Sequence, residues 1–146
     1  MKLYTIGFTK KSAEKFFTLL KENGIRRVID IRLNPGGQLA GFAKQDDLRY
    51  FLSQLVDCEY RHLDTLAPTD DILSDYRKDH DWDKYVERFA ALMDERAVPE
   101  SLNRRLFEDK ACCLLCSEAT PDKCHRRLVA ERLARHWPGV EVIHLA

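Results

Sequence analysis

Between Cys116 and Arg127 the chain reads Cys-Ser-Glu-Ala-Thr-Pro-Asp-Lys-Cys-His-Arg-Arg, so two thiols, two carboxylates, an imidazole and two guanidiniums fall within twelve residues. A thiol at a strand end, near helix amides and a basic side chain, can be a nucleophile of lowered pKa. On that reading Cys116 attacks, with Glu118 as its partner or as an independent general acid/base. The structural alternative makes Cys116 a small buried hydrophobe and Glu118 a cap. His125 and Arg126 fall near an expected helix N-terminus, where cations oppose the macrodipole at a cost of a few tenths to about 1 kcal/mol each. The placement makes sense if an anion binds there with backbone N–H groups, or if Glu118 or Asp30 neutralises Arg126. Cys124 precedes Leu128 by four and is expected on the same buried helical face, with packing as its default role.

A second pair stands upstream. Asp30 and Arg32 lie two apart at the end of a strand, so their side chains should leave one face together. Arg32 would hold an anionic substrate while Asp30 orients it or acts as base; otherwise the two form an ion pair that closes the sheet.

Several chemistries are disfavoured by spacing. Cys112 and Cys116 are about 13 Å apart along a strand, too far to share one zinc, and Cys112 and Cys113 point to opposite faces. Cys116, Cys124 and His125 remain as a three-ligand set without standard zinc spacing, so no metal is expected. A Cys116–Cys124 redox pair lacks the thioredoxin-like spacing. A phosphatase-type loop needs an arginine six residues after the cysteine, and Asp122 occupies that position.

The elements that must position these groups alternate. Leu3–Gly7 reads as a strand. Ser12 can cap a helix over Ala13–Glu22, with Ala13, Phe16, Phe17 and Leu20 on one face and Asn23-Gly24 as its stop. Arg27–Ile31 is a second strand, so the first thirty residues form a βαβ unit with parallel strands. The glycine-rich stretch Arg32–Gly41 has no pattern of its own. A helix over Gln45–Val56 carries Leu48, Phe51, Leu52 and Leu55, and Glu59–Leu63 is a third strand. From Leu66 to about Asp109 the chain reads as a helical insertion or side wall, with Thr69 and Asp81 as caps and Tyr76, Trp82, Tyr85, Phe89 and Leu92 inward. Ala111–Cys116 is an apolar strand buried on both faces. Thr120 (cap), Pro121 (first position) and Asp122 (first turn) then announce a helix to about His136, and Val140–Leu145 is the last strand. The expected fold is one α/β domain over 1–146, a Rossmann-like three-layer sandwich with about five mainly parallel strands and helices on both faces.

Composition narrows the class. Lys plus Arg and Asp plus Glu each number 24, so no global field attracts nucleic acid or anionic membrane. The basic groups Arg104, Arg105, Lys110 and Arg126, Arg127, Arg132, Arg135 are interleaved with acids and read as solvated helix faces. No apolar run approaches the roughly 18 residues of a spanning helix. Five cysteines, an odd number, argue against a disulfide framework and for a reducing cytoplasm.

Three stretches, Tyr4-Thr-Ile-Gly-Phe-Thr9, Asp30-Ile-Arg-Leu-Asn-Pro35 and Leu115-Cys-Ser-Glu-Ala-Thr-Pro-Asp-Lys-Cys-His-Arg126, together closely resemble a group of bacterial and archaeal proteins, domain-of-unknown-function family 488. The resemblance spans nearly the whole chain, including the closing Val142-Ile-His-Leu145. It implies a fold and a site, with no established activity to carry over. The family's first stretch usually reads Gly-His-Ser; here Phe8 stands in place of that histidine.

The expectation is an enzyme, a hydrolase or group transferase, acting on a small anionic substrate such as a nucleotide or other phosphate-bearing metabolite at the strand C-termini. Asp30, Cys116, Glu118 and His125 form its catalytic set, and Gly7, Thr9, Arg32, Cys124 and Arg126 its substrate-binding set. No cofactor can be named. A non-catalytic module binding a nucleotide or nucleic acid is the alternative, and a polar cluster that merely braces the fold is a third.

Overall fold

The chain forms five strands: β1 (Lys2–Gly7), β2 (Arg27–Asp30), β3 (Glu59–His62), β4 (Cys112–Cys116) and β5 (Glu141–His144). They make a single parallel sheet in the order β3-β2-β4-β1-β5. The computed structural model describes the backbone of residues 1–146 and the side chains of all but 38–40. β4 is the middle strand and is buried at every position, which is why its sequence is an uninterrupted apolar run. β5, at the edge, is half-exposed.

Six helices cover the sheet: α1 (Ala13–Glu22), α2 (Gln45–Val56), α3 (Asp70–Asp79), α4 (Trp82–Glu95), α5 (Arg105–Glu108) and α6 (His125–His136). Ser12 caps α1 by accepting from the Lys15 N–H (3.1 Å), Thr69 caps α3 and Asp81 caps α4. Strand alternation sends Tyr4, Ile6, Val28 and Leu115 to one face, where α1 and α2 supply Phe16, Leu20, Leu48 and Leu52. Leu3, Ile29, Cys112 and Leu114 go to the other, under α3 to α6. The architecture is a three-layer α/β fold, as the alternation of strand and helix patterns requires. Two expected core positions differ: Ala13 lies in the exposed first turn of α1, and Leu55 is 57% exposed at the end of α2.

Strand order decides where a crevice can open. The chain leaving β1 or β2 turns to the α1–α2 face, whereas the chain leaving β4 turns to α6 on the opposite face. Since β4 lies between β1 and β2, both seams beside it are switch points, where departing loops diverge and leave space beyond the strand C-termini. α3 and α4, inserted between β3 and β4, stand beside that space as a wall. Among the described residues no helix is long and apolar enough to cross a membrane.

The helix expected from Thr120 begins instead at His125, with Cys124 as its N-cap residue. Residues 117–123 form a turn whose carbonyls serve other elements: Ser117 O accepts from the Thr9 N–H (3.0 Å), Glu118 O from Arg126 Nη1 (2.5 Å) and Ala119 O from Lys11 Nζ (3.3 Å). Three tertiary bonds outweigh the local Thr-Pro-Asp signal. Cys124 makes no capping bond, and Leu128 is only half-buried; Val129, Ala130 and Leu133 carry the buried face.

Candidate active site

Beyond the end of β4 lies a cavity of about 750 Å³ whose lining includes Cys116, Cys124 and His125, Thr9 and Arg32, and the α3–α4 aromatics Tyr76, Trp82 and Tyr85. The size suits a small ligand.

Cys116, the last residue of β4, is 5% exposed. Its Sγ lies 3.3 Å from His125 Nδ1 in the first turn of α6. The other ring nitrogen, Nε2, is 2.7 Å from the Ile31 carbonyl. A carbonyl only accepts, so Nε2 carries a proton and donates it, and Nδ1 is left to face the thiol. Sulfur, imidazole and an orienting acceptor thus form a chain of three, the arrangement that activates a nucleophile.

The charge balance works in the same direction. Burial by itself would push the Cys116 thiol up. A hydrogen bond from the Cys124 thiol, the N–H groups of Ser117 and Glu118 and the charge of Arg126 outweigh it, and the Cys116 pKa is lowered. Cys124 moves the opposite way, raised well above the ordinary thiol value by burial and by its bond to Cys116. The two neighbouring thiols are thus shifted in opposite directions.

Arg126 lies behind this cluster. It is fully buried. Its Nε donates to Thr5 Oγ1 (3.2 Å) and its Nη1 to the Glu118 carbonyl (2.5 Å), while Nη2 is buried without a partner. Among the described residues no carboxylate pairs with it, so neither Asp30 nor the side chain of Glu118 neutralises it. Arg126 is absent from the cavity lining. It therefore sits behind the site as a fixed positive charge, rather than in contact with whatever fills the cavity. Its charge is one of the influences that lower the Cys116 pKa.

Asp30 and Arg32 leave the sheet together and pair. Asp30 Oδ1 accepts from the Arg32 main-chain N–H (3.1 Å) and Nε (2.8 Å), and Oδ2 from Arg32 Nη2 (2.7 Å) and the Tyr60 hydroxyl (2.6 Å). Arg32 Nη2 also reaches the Ala43 carbonyl (2.7 Å). Asp30 is fully buried with both oxygens engaged, whereas Arg32 reaches the cavity wall with its guanidinium 5.3 Å from the Phe8 ring.

The remaining sequence candidates separate. Thr9 and the exposed Glu118 line the cavity. Gly7 does not; it lets the Glu118 carbonyl cross the end of β1. Asn34 and Gly37 of the glycine-rich loop also line the cavity; the side chains of 38–40 lie outside the described residues. Phe8, in the position of the family's usual histidine, packs edge-on against Phe42 (6.4 Å). Sequence reasoning paired Cys116 with Glu118; the fold pairs it with His125. Arg77, His80 and Lys123 also line the cavity, and neither Arg77 nor His80 stands in a local constellation along the sequence. Trp82 and Tyr85 pack the insertion, stacked at 4.9 Å, and border the cavity as well.

Several members of the two basic groups are engaged. Arg104 pairs with Glu108 and Lys110 with Glu59, and Arg132 with Asp94 at 2.5 Å.

Residues 12–133 match the family model described as domain of unknown function DUF488. The chain belongs to that family. The matched span contains the whole Cys116–Arg126 cluster and the Asp30–Arg32 pair, so the DUF488 match covers both halves of the site. No curated protein and no solved structure matches the chain.

Proposed function

We propose that this DUF488 protein is an enzyme, a hydrolase or group transferase, that uses Cys116 as nucleophile on a small anionic substrate held in the cavity beyond β4. The observation that carries the reading is the chain from Cys116 Sγ through His125 to the Ile31 carbonyl, at 3.3 Å and 2.7 Å, with Cys116 and His125 on the cavity lining.

The roles follow from position. The Cys116 sulfur attacks the electrophilic atom of the substrate; a bond to sulfur forms and the bond to the leaving group breaks. The leaving group takes the proton that His125 Nδ1 has received from the Cys116 thiol. Water or an acceptor then attacks the sulfur-bound intermediate, giving up its proton to His125 or to the Glu118 carboxylate at the cavity rim, and the Cys116 thiolate is released. The N–H groups of Ser117 and Glu118, the Cys124 thiol and the buried Arg126 hold the thiolate ready. Arg32, Thr9, Arg77 and Lys123 meet the anion, since the described lining residues carry three cationic side chains against one carboxylate, Glu118. Asp30 is a positioning residue that aims Arg32. Gly7 permits the backbone crossing that brings Glu118 over β1.

A thermal-shift screen of nucleotides, sugar phosphates and simple anions tests the reading, followed by turnover assays on each ligand found. A ligand at a hundred times its dissociation constant adds about 2.7 kcal/mol to the folded state. Cys116→Ser should retain the shift and lose turnover, and Glu118→Gln should slow turnover about a hundredfold. Turnover undiminished in Cys116→Ser sinks the nucleophile. Binding without turnover in the wild type marks a non-catalytic binding module.

A further inference from the structure

We infer that Cys116, Cys124 and His125 form a binding site for one soft divalent cation of the zinc class, open on the cavity side. Along the sequence these three lack zinc spacing, because Cys116 and Cys124 belong to different elements. The fold removes that objection. Cys116 Sγ, Cys124 Sγ and a His125 ring nitrogen all lie within 4.8 Å of one another, and all three residues are buried. Tetrahedral zinc with Zn–S near 2.3 Å and Zn–N near 2.0 Å places its ligand atoms about 3.5–3.8 Å apart. The 3.3 Å between Cys116 Sγ and His125 Nδ1 already approaches that separation.

Three further features fit a cation. The Ile31 carbonyl accepts from His125 Nε2 (2.7 Å), the outer-shell bond that fixes a ligating imidazole with its other nitrogen free. Two sulfurs and one imidazole select zinc-class ions over magnesium or calcium, which take oxygen. All three residues line the cavity, so the fourth position of a tetrahedral ion faces it, as in catalytic rather than structural sites. Charge then defines that fourth ligand. Two thiolates cancel the ion, the buried Arg126 leaves a net charge of +1, and hydroxide or an anionic ligand restores neutrality.

Binding of the ion stands on this geometry alone. Its consequence rests on the function proposed above: the ion occupies the Cys116 sulfur and the Nδ1 lone pair, so the loaded protein is inhibited.

Cobalt(II), whose visible absorption and sulfur-to-metal charge-transfer band report tetrahedral thiolate ligation, is titrated into the reduced full chain. Expected are one ion per chain, displacement by Zn²⁺, and affinity at least about tenfold weaker in Cys124→Ala, with Cys58→Ala unchanged and both variants shown by melting to be folded. In parallel, Zn²⁺ should protect Cys116 from alkylation by iodoacetamide in the wild type but not in Cys124→Ala. Absence of the charge-transfer band, or a band indifferent to Cys124→Ala, overturns the site. If the site binds and Zn²⁺ raises turnover, the site stands and the free-thiolate reaction falls. If no ion binds while Cys116→Ser abolishes turnover, the site falls and the nucleophile stands.

Discussion

The carbonyl oxygen of Glu118 occupies the space a side chain at Gly7 would need: a β-carbon there would lie 1.6 Å from it and 2.7 Å from Arg126 Nη1. The clash is with backbone, which cannot swing aside. Gly7→Ala is therefore expected to displace the 117–123 turn and cost about 3 kcal/mol, read as a lower urea midpoint. An alanine variant with wild-type stability and unchanged Cys116 alkylation would show that the turn can be moved freely.

Arg126 should be visible in the chemistry of Cys116. Its charge helps lower the thiol's pKa, so Arg126→Met should raise the midpoint of the iodoacetamide rate-against-pH profile. In the wild type that midpoint should lie below the roughly 8.5 of a free cysteine. The variant also leaves the Glu118 carbonyl without its donor, at a cost of about 2–3 kcal/mol. For the wild type the linkage sign is that of a depressed group: the contribution of Cys116 to stability is whole above its unfolded pKa and is lost as pH falls through the folded one. An unmoved midpoint in Arg126→Met would separate the arginine from the thiolate.

Asp30 and Arg32 should behave as one unit. Asp30→Ala leaves a buried guanidinium unpaired and is expected to cost about 3–5 kcal/mol. Combined with Arg32→Met, the loss should be clearly smaller than the sum of the two single losses, as for groups that share bonds. Chemical denaturation of the four proteins measures the coupling; simple additivity would contradict the pairing.

Alkaline pH should unfold the protein through thiols outside the site. Burial pushes Cys112 up to about 11 and Cys58 up to about 12. The unfolded chain ionises these groups near 8.5, so it binds fewer protons than the native state above that pH. Each thiol then removes about 1.4 kcal/mol of stability per pH unit until its folded value is reached. Denaturation at pH 8, 9 and 10 should show the decline, and Cys58→Ala should flatten it. A stability flat across that range would mean that these thiols titrate alike in both states.

Local patterning alone determined a good part of this protein. The 3.6-residue period and Ser12 located α1, β-branched or apolar runs located β1, β2, β4 and β5, and the βαβ rhythm implied a parallel sheet; α1 and α2 occupy the residues expected of them. The cluster of Cys116, Cys124, His125 and Arg126 was equally legible, because its residue types are rare together and the family resemblance rests on them. Who faces whom was not. The register of Cys116 against His125 depends on where α6 begins, and that is set by hydrogen bonds from Thr9, Lys11 and Arg126 to carbonyls of residues 117–119. Those partners are up to about a hundred residues apart in the chain, beyond any local period. The same holds for Arg126: a helix N-terminus reads as a place for an external anion, and only the packing of Thr5 and the Glu118 carbonyl shows it turned inward. Strand order, which sets β4 between β1 and β2 and opens the cavity at its end, was likewise a decision of the tertiary structure, since sheet pairing joins segments by shape and burial rather than by sequence proximity.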